Sequence, residues 1–171
     1  MPAAYIGVGS NLGDREGNLE RAARMLARTR GVWLLRRSRT YESPPHGPSQ
    51  TYFYNQVWEI WTDLEPEPLL DALLAIEARM GRRADRPRWA PRVIDLDLLL
   101  YADRVSVSDR LQLPHPRMRE RAFVLEPLLE LLPEGRDPVT GLSFRELRAR
   151  VGHMPLAVVD GAHLLCHPLY R

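Results

Sequence analysis

Residues 94–101 read Ile94-Asp95-Leu96-Asp97-Leu98-Leu99-Leu100-Tyr101, an apolar run that carries two aspartates near its start. Eight residues of this character predict a largely buried β-strand. Residues two apart on a strand point the same way, so both carboxylates face one side of the sheet. Two carboxylates this close repel each other unless a cation lies between them. The pattern therefore suits Mg²⁺, which one or two carboxylates hold together with substrate phosphates.

Arginines crowd the segment directly before this strand. Residues 79–92 contain six arginines and a single acid, Asp85. A bare Asp-x-Asp is more often a strand with one solvated face than a metal site. The adjacent arginines favour the metal site, because they supply the other half of a phosphate-binding surface.

Hydrophobic periodicity predicts the other elements. Helices are expected over 16–29, 66–80 and 121–132, with a fourth that opens at a capping box, Ser143-Phe144-Arg145-Glu146. Strands are expected over 4–8, 32–41, 53–62 and 94–101, with 105–107 paired to the last of these. A small terminal hairpin is expected from 158–159 and 163–165.

The order β-α-β-β-α-β indicates the fold class. It predicts an α+β, ferredoxin-like split βαβ arrangement, with a mainly antiparallel sheet and helices packed on both sides. The length of 171 residues predicts one domain, 1–171.

Composition excludes several classes of function. All 24 basic residues are arginine, so no lysine is present for a Walker A loop, a protein-kinase strand or a Schiff base. A net charge of +2 does not indicate nucleic-acid binding, and no apolar run approaches the ~18 residues of a membrane span. With no targeting segment and a single cysteine, Cys166, we expect a cytoplasmic protein that is monomeric and has no membrane or nucleic-acid partner.

Three other functions have weaker support in the sequence. A dinucleotide site is disfavoured because the third glycine of G-x-G-x-x-G would fall at Leu12. A nucleotidyltransferase, suggested by Gly9-Ser10 and a later Asp-x-Asp, stays the main alternative, although about 85 residues separate the two motifs. An RNA-binding ferredoxin-like module lacks its typical aromatic strand motif.

Several fragments together resemble one family. They are Tyr5-Ile6-Gly7-Val8-Gly9-Ser10-Asn11-Leu12-Gly13, Tyr41-Glu42-Ser43-Pro44-Pro45, Arg88-Trp89-Ala90-Pro91-Arg92-Val93-Ile94-Asp95-Leu96-Asp97, Leu113-Pro114-His115-Pro116-Arg117-Met118 and Arg121-Ala122-Phe123-Val124-Leu125-Glu126-Pro127-Leu128. The chain resembles 6-hydroxymethyl-7,8-dihydropterin pyrophosphokinase, a folate-synthesis enzyme, from about residue 4 to 132. The resemblance implies transfer of the β,γ-pyrophosphoryl group of ATP, the co-substrate, to the pterin hydroxymethyl, giving AMP.

The resemblance also implies roles for individual residues. Asp95 and Asp97 would bind two Mg²⁺ ions, and Arg82 and Arg92 would be the catalytic arginines on the triphosphate. The nucleotide-contacting positions are Glu77, Arg88, Trp89, Arg110, Gln112, His115 and Arg121. The pterin positions are Pro44, Pro45, Phe53, Asn55 and Phe123, with the two aromatics sandwiching the ring and Asn55 bonding its polar edge.

The chain departs from the family pattern at four positions. Ala90 replaces a usual glycine, Ala84 a frequent arginine, Gln112 a frequent threonine and His46 an apolar residue beside the pterin.

Overall fold

The main sheet is antiparallel throughout. A computed structural model describes residues 1–45, 51–81, 85 and 90–159 of the chain. The main-sheet strands are β1 (Ala3–Ser10), β2 (Val32–Arg37), β3 (Thr40–Ser43), β4 (Phe53–Thr62), β5 (Asp95–Tyr101) and β8 (Ala157–Val159). Their order is β5-β1-β4-β3-β8, and β2 also pairs with β4. Because β4 lies between β1 and the β2–β3 pair, the topology confirms the predicted split βαβ, ferredoxin-like fold.

Helices cover both faces of this sheet, as predicted. They are α1 (Arg15–Ala27), α2 (Pro66–Arg79), α3 (Ala122–Leu131) and α4 (Phe144–Arg150). Apolar side chains of α1 and α2 pack on one face, and those of α3 and α4 on the other. The predicted capping box is confirmed, since the Ser143 and Glu146 side chains each accept the other's backbone N–H. No helix in the described ranges is long and apolar enough to cross a membrane.

The structure corrects two predicted strands. The strand predicted over 32–41 is divided into β2 and β3, because the Ser38 hydroxyl accepts the Val57 N–H between them. The prediction that 105–107 pairs with the aspartate strand is wrong. Instead β6 (Ser106–Val107) forms a separate hairpin with β7 (Gln112–Leu113), since the chain turns away after β5.

The terminal hairpin is tested only in its first half. Strand β8 pairs with β3, and 163–165 lies outside the described residues.

Candidate active site

Two glycines of β1 form the floor of a cavity between the strands that carry the predicted site residues. Gly9 is paired with Asp95 of β5 on one side and with Asn55 of β4 on the other, and Gly7 is paired with Asp97. Directly paired residues share a face of the sheet, so these side chains project together. A Cβ on Gly9 would lie 3.5 Å from the Phe53 ring and 3.6 Å from Asn55 Oδ1. The absence of a side chain at Gly9 keeps the cavity open.

We call this cavity the first cavity. Predicted pterin residues line one side of it. Pro44, Phe53, Asn55 and Phe123 all reach it, whereas Pro45 is not among its lining residues. The Asn55 Nδ2 donates to Tyr41 O at 3.1 Å and to Ser43 Oγ at 2.8 Å. Both amide donors are therefore committed to β3, and Oδ1 remains as the acceptor beside the cavity floor.

The other side of the first cavity is charged. Arg92 Nη1 lies 3.0 Å from Asp95 Oδ1, and Arg121 Nη1 lies 3.8 Å from Asp97 Oδ2. The aspartate side chains are 24% and 35% exposed, so both are accessible from the cavity. Burial lowers the pKa of Arg121 from its ordinary value, and Asp97 opposes that shift by favouring the guanidinium. Among the described residues, each carboxylate therefore has an arginine beside it.

A second cavity contains most of the predicted nucleotide positions. Glu77, Arg110, Gln112 and His115 line it, together with apolar side chains from α2 and β5. Asp97 lines this cavity as well as the first. The predicted nucleotide and pterin regions therefore meet at the Asp97 carboxylate. The Arg121 guanidinium, which pairs with Asp97, faces the first cavity.

Glu77 has a structural contact that the sequence did not reveal. Its side chain is 1% exposed, and its Oε1 accepts the Leu96 N–H at 2.6 Å. Leu96 lies between the two aspartates on β5, the last strand at that end of the sheet. Because a buried carboxylate holds this N–H, the outer edge of the aspartate strand is fixed.

His115 is neutral in this environment. Burial, followed by the charge of Arg121, lowers the pKa of its imidazole from 6.5 to about 4. Its Nδ1 accepts the Arg117 N–H at 3.2 Å, so the proton of the neutral ring is on Nε2. The imidazole therefore offers one N–H donor and no full charge.

A pH titration tests this assignment. In the unfolded chain His115 has its ordinary pKa of 6.5, whereas in the folded chain its pKa is about 4. The neutral ring therefore makes its full contribution to the stability of the fold above pH 6.5. It is lost as the pH falls from 6.5 towards 4. We expect NMR signals of His115 in the folded protein to titrate near 4, and Arg121→Gln to raise that midpoint. A folded-state midpoint near 6.5 would contradict the assignment.

The segment that carries His115 and Arg121 is anchored by a buried ion pair. Asp137 is 1% exposed and accepts hydrogen bonds from the Arg119 guanidinium, the Val139 N–H and the Thr140 hydroxyl. Burial raises the pKa of Asp137, but these hydrogen bonds outweigh it and lower the pKa to about 2. Arg119 is thereby tied to the turn before α4, and the neighbouring site residues are held with it.

Arg110 has acidic partners on α2. Its guanidinium contacts Asp71, and Nη1 lies 3.8 Å from Glu67 Oε2. All three side chains are more than half exposed, so solvent screens these pairs strongly. A phosphate or ribose group can therefore compete for Arg110.

Asn11 is a site residue that the sequence did not identify. Its Oδ1 accepts the Arg92 N–H at 2.7 Å, and its own N–H donates to Arg92 O at 3.1 Å. Its Nδ2 also reaches Thr51 O at 3.5 Å. Asn11 thus holds the backbone of Arg92 at the cavity. The sequence signals were its position directly after β1 and its place in the family fragment 5–13, neither of which assigns it a role.

Arg117 also lines the first cavity, although the sequence suggested it only as a neighbour of His115. Among the described residues no carboxylate pairs with its side chain, and its positive charge lowers the pKa values of both Arg121 and His115. Three predicted residues, Arg82, Arg88 and Trp89, lie outside the described part of the chain, as do Ala84 and His46. Their assignments stay predictions.

Comparisons with known proteins identify the family of the chain. A sequence model of the family 7,8-dihydro-6-hydroxymethylpterin-pyrophosphokinase (HPPK) matches residues 5–133. The 2-amino-4-hydroxy-6-hydroxymethyldihydropteridine pyrophosphokinase of Methylorubrum extorquens is 47% identical over 78% of this chain and 85% of its own length. The enzyme of the same name from Bacillus subtilis is 38% identical over 94% of this chain and 96% of its own.

A solved structure supports the fold. The HPPK-DHPS triple mutant of Plasmodium falciparum superposes with a TM-score of 0.70 over 87% of this chain, at 15% identity. The present chain spans 43% of that longer protein, so the likeness is one of fold.

Proposed function

The chain belongs to the 7,8-dihydro-6-hydroxymethylpterin-pyrophosphokinase family, and on this premise we propose that it joins ATP and the pterin where its two cavities meet. It is an enzyme of folate synthesis. The proposed reaction transfers the β,γ-pyrophosphoryl group of ATP to the hydroxymethyl oxygen of 6-hydroxymethyl-7,8-dihydropterin. AMP leaves, and the pterin diphosphate forms. The observation that carries this proposal is the presence of Asp97 in both cavities.

The first cavity suits the pterin. Phe53 and Phe123 both line it, and aromatic rings favour a flat heterocycle between them. Asn55 Oδ1 is an acceptor, which matches the amino and ring N–H donors of a pterin. We assign Pro44 to the same ring. Pro45 follows Pro44 in sequence but does not line the cavity.

The second cavity suits the nucleoside of ATP. Its apolar side chains, among them Leu70, Leu74 and Leu98, match a flat purine base. Arg110, Gln112 and the Nε2–H of His115 supply polar contacts for the ribose and phosphates. The polyphosphate would then run past Asp97 towards the pterin, where Arg92, Arg117 and Arg121 face the first cavity.

The residues present fit magnesium. Asp95 and Asp97 are accessible carboxylates on one face of β5, which are the ligands that Mg²⁺ prefers. The described residues contain no group of three metal-binding side chains, so further ligands would be phosphate oxygens and water. Two bound ions would neutralise phosphate charge during transfer. The arginines would have a separate task. A guanidinium group can bind two phosphate oxygens at once through parallel N–H···O bonds, which would hold the transferred group in place.

We also propose that residues 1–171 form one domain that acts as a cytoplasmic monomer on small-molecule substrates. Both apolar clusters share the same sheet, which supports a single folding unit over the described residues.

Product analysis tests the proposed function. The enzyme is incubated with ATP, Mg²⁺ and the hydroxymethyl pterin, and products are followed by phosphorus NMR. Attack at the β-phosphorus predicts AMP and pterin diphosphate in equal amounts. ADP would indicate ordinary phosphoryl transfer, and released pyrophosphate with an adenylylated product would support a nucleotidyltransferase. Either result would contradict the proposal.

A further inference from the structure

Arg15, the first residue of α1, contacts the pterin-side strands at three points. Its Nη1 lies 2.8 Å from Tyr52 O and 3.0 Å from Glu42 Oε2. Its guanidinium carbon lies 3.8 Å from the centre of the Tyr54 ring. A charge-assisted hydrogen bond is stronger than a neutral one, and the stacked guanidinium adds a cation–π attraction.

These contacts lie behind the first cavity. Tyr54 packs with the apolar cluster of α1 and α2, whereas its neighbours Phe53 and Asn55 line the cavity. Since alternate strand residues face opposite sides, Arg15 holds β4 from the face away from the pterin site. It does not line either cavity.

The attachment points surround Phe53. Tyr52 and Tyr54 are its two chain neighbours, and Glu42 is paired with Tyr54 across β3 and β4. The next residue of β3, Ser43, is paired with Phe53, and its hydroxyl accepts the Asn55 amide. One guanidinium therefore holds the backbone on either side of Phe53 and, through β3, supports Asn55, which are two of the side chains that we assign to the pterin.

We propose that Arg15 is a positioning residue that sets the pterin affinity of this enzyme. This inference rests on the proposed function. Without Arg15, the ends of β3 and β4 lose a common anchor, and Phe53 loses its fixed position. The nucleotide cavity is built by α2, β5 and the segment 108–116, none of which Arg15 touches through a described contact. ATP binding is therefore independent of it.

Calorimetry with the whole 171-residue chain tests the inference. We expect Arg15→Ala to weaken pterin binding roughly tenfold, because the pterin must then order the Phe53 region on binding. In the same variant, the affinity for α,β-methylene ATP should change less than about twofold. Arg24 is an exposed arginine of the same helix, so the matched control Arg24→Ala should leave both affinities unchanged. Arg15→Lys keeps the charge without the forked geometry and should give an intermediate loss.

Two further measurements separate positioning from general stability. Glu42→Gln keeps Arg15 but removes the carboxylate that it contacts. Pterin affinity should therefore fall while the thermal midpoint of unfolding stays close to that of the wild type. This variant also tests the inference if Arg15→Ala fails to fold. Unchanged pterin affinity in both variants, or an equal loss for both substrates, would overturn the inference. Failure of the wild type itself to bind the pterin would instead contradict the proposed function.

Discussion

Asp97→Asn and Asp95→Asn are each expected to reduce kcat by roughly a thousandfold or more, because each removes several kcal/mol of charge stabilisation in the transition state. Both side chains are partly exposed on one face of β5 and face a cavity rather than the core. The fold should therefore survive, with a thermal midpoint near that of the wild type.

Steady-state rates over a range of Mg²⁺ concentrations measure this effect. Asp103→Asn, an exposed aspartate in the turn after β5, is the matched control and should keep wild-type rates. Asp97 lines both cavities, whereas Asp95 lines only the first, so Asp97→Asn should also weaken nucleotide binding more than Asp95→Asn does. Near-wild-type turnover at saturating Mg²⁺ in either variant would refute a metal role for the pair.

Arg92→Ala is expected to lower kcat by roughly a hundredfold to a thousandfold, the usual loss when one donor to developing charge is removed. Asn11 holds the Arg92 backbone through two hydrogen bonds, so the guanidinium is delivered to the cavity from a fixed point. The affinity for ATP in the ground state should change much less than kcat, because the contact matters most when charge develops on the transferred group.

Arg79→Ala, an exposed arginine in the last turn of α2, is the control for the loss of one positive charge. Arg92→Lys should recover only part of the rate, since lysine is a point charge without the planar fork. A variant whose entire defect is a raised dissociation constant for ATP would place Arg92 in simple binding.

The sequence predicted the elements whose evidence is local. The aspartate strand, the amphipathic α1 and α2 and the Ser143 capping box all follow from periodicity and cap chemistry within a few residues. The ferredoxin-like topology follows from element order. These predictions are confirmed, because a short window contains the physical cause of each.

Features that depend on distant contacts were not predictable in this way. The break at Ser38 depends on Val57, and the pairing of β6 with β7 depends on where the chain turns after β5. The sequence assigns no role to Asn11 or Arg15, yet they contact residues some 81 and 37 positions away. The acidic partners of Arg110 on α2 were equally hidden.

The family resemblance supplied the site residues, and the structure shows which of them lie together. Four predicted nucleotide positions share the second cavity and four predicted pterin positions share the first. Residue types alone would not have divided them, because arginines occur throughout the chain and line both cavities. Their division into two neighbouring cavities depends on the register of β1 with β4 and β5.

The central claim is that Asp97 marks the junction at which the two substrates react. A crystal structure with Mg²⁺, the hydroxymethyl pterin and α,β-methylene ATP, whose bridging carbon resists cleavage, tests it most directly. We predict the pterin between Phe53 and Phe123, the nucleoside beside Gln112 and His115, and a cation on both aspartates. The hydroxymethyl oxygen should lie roughly 3–3.5 Å from the β-phosphorus. A pterin in the second cavity, or a triphosphate that does not pass Asp97, would contradict the account.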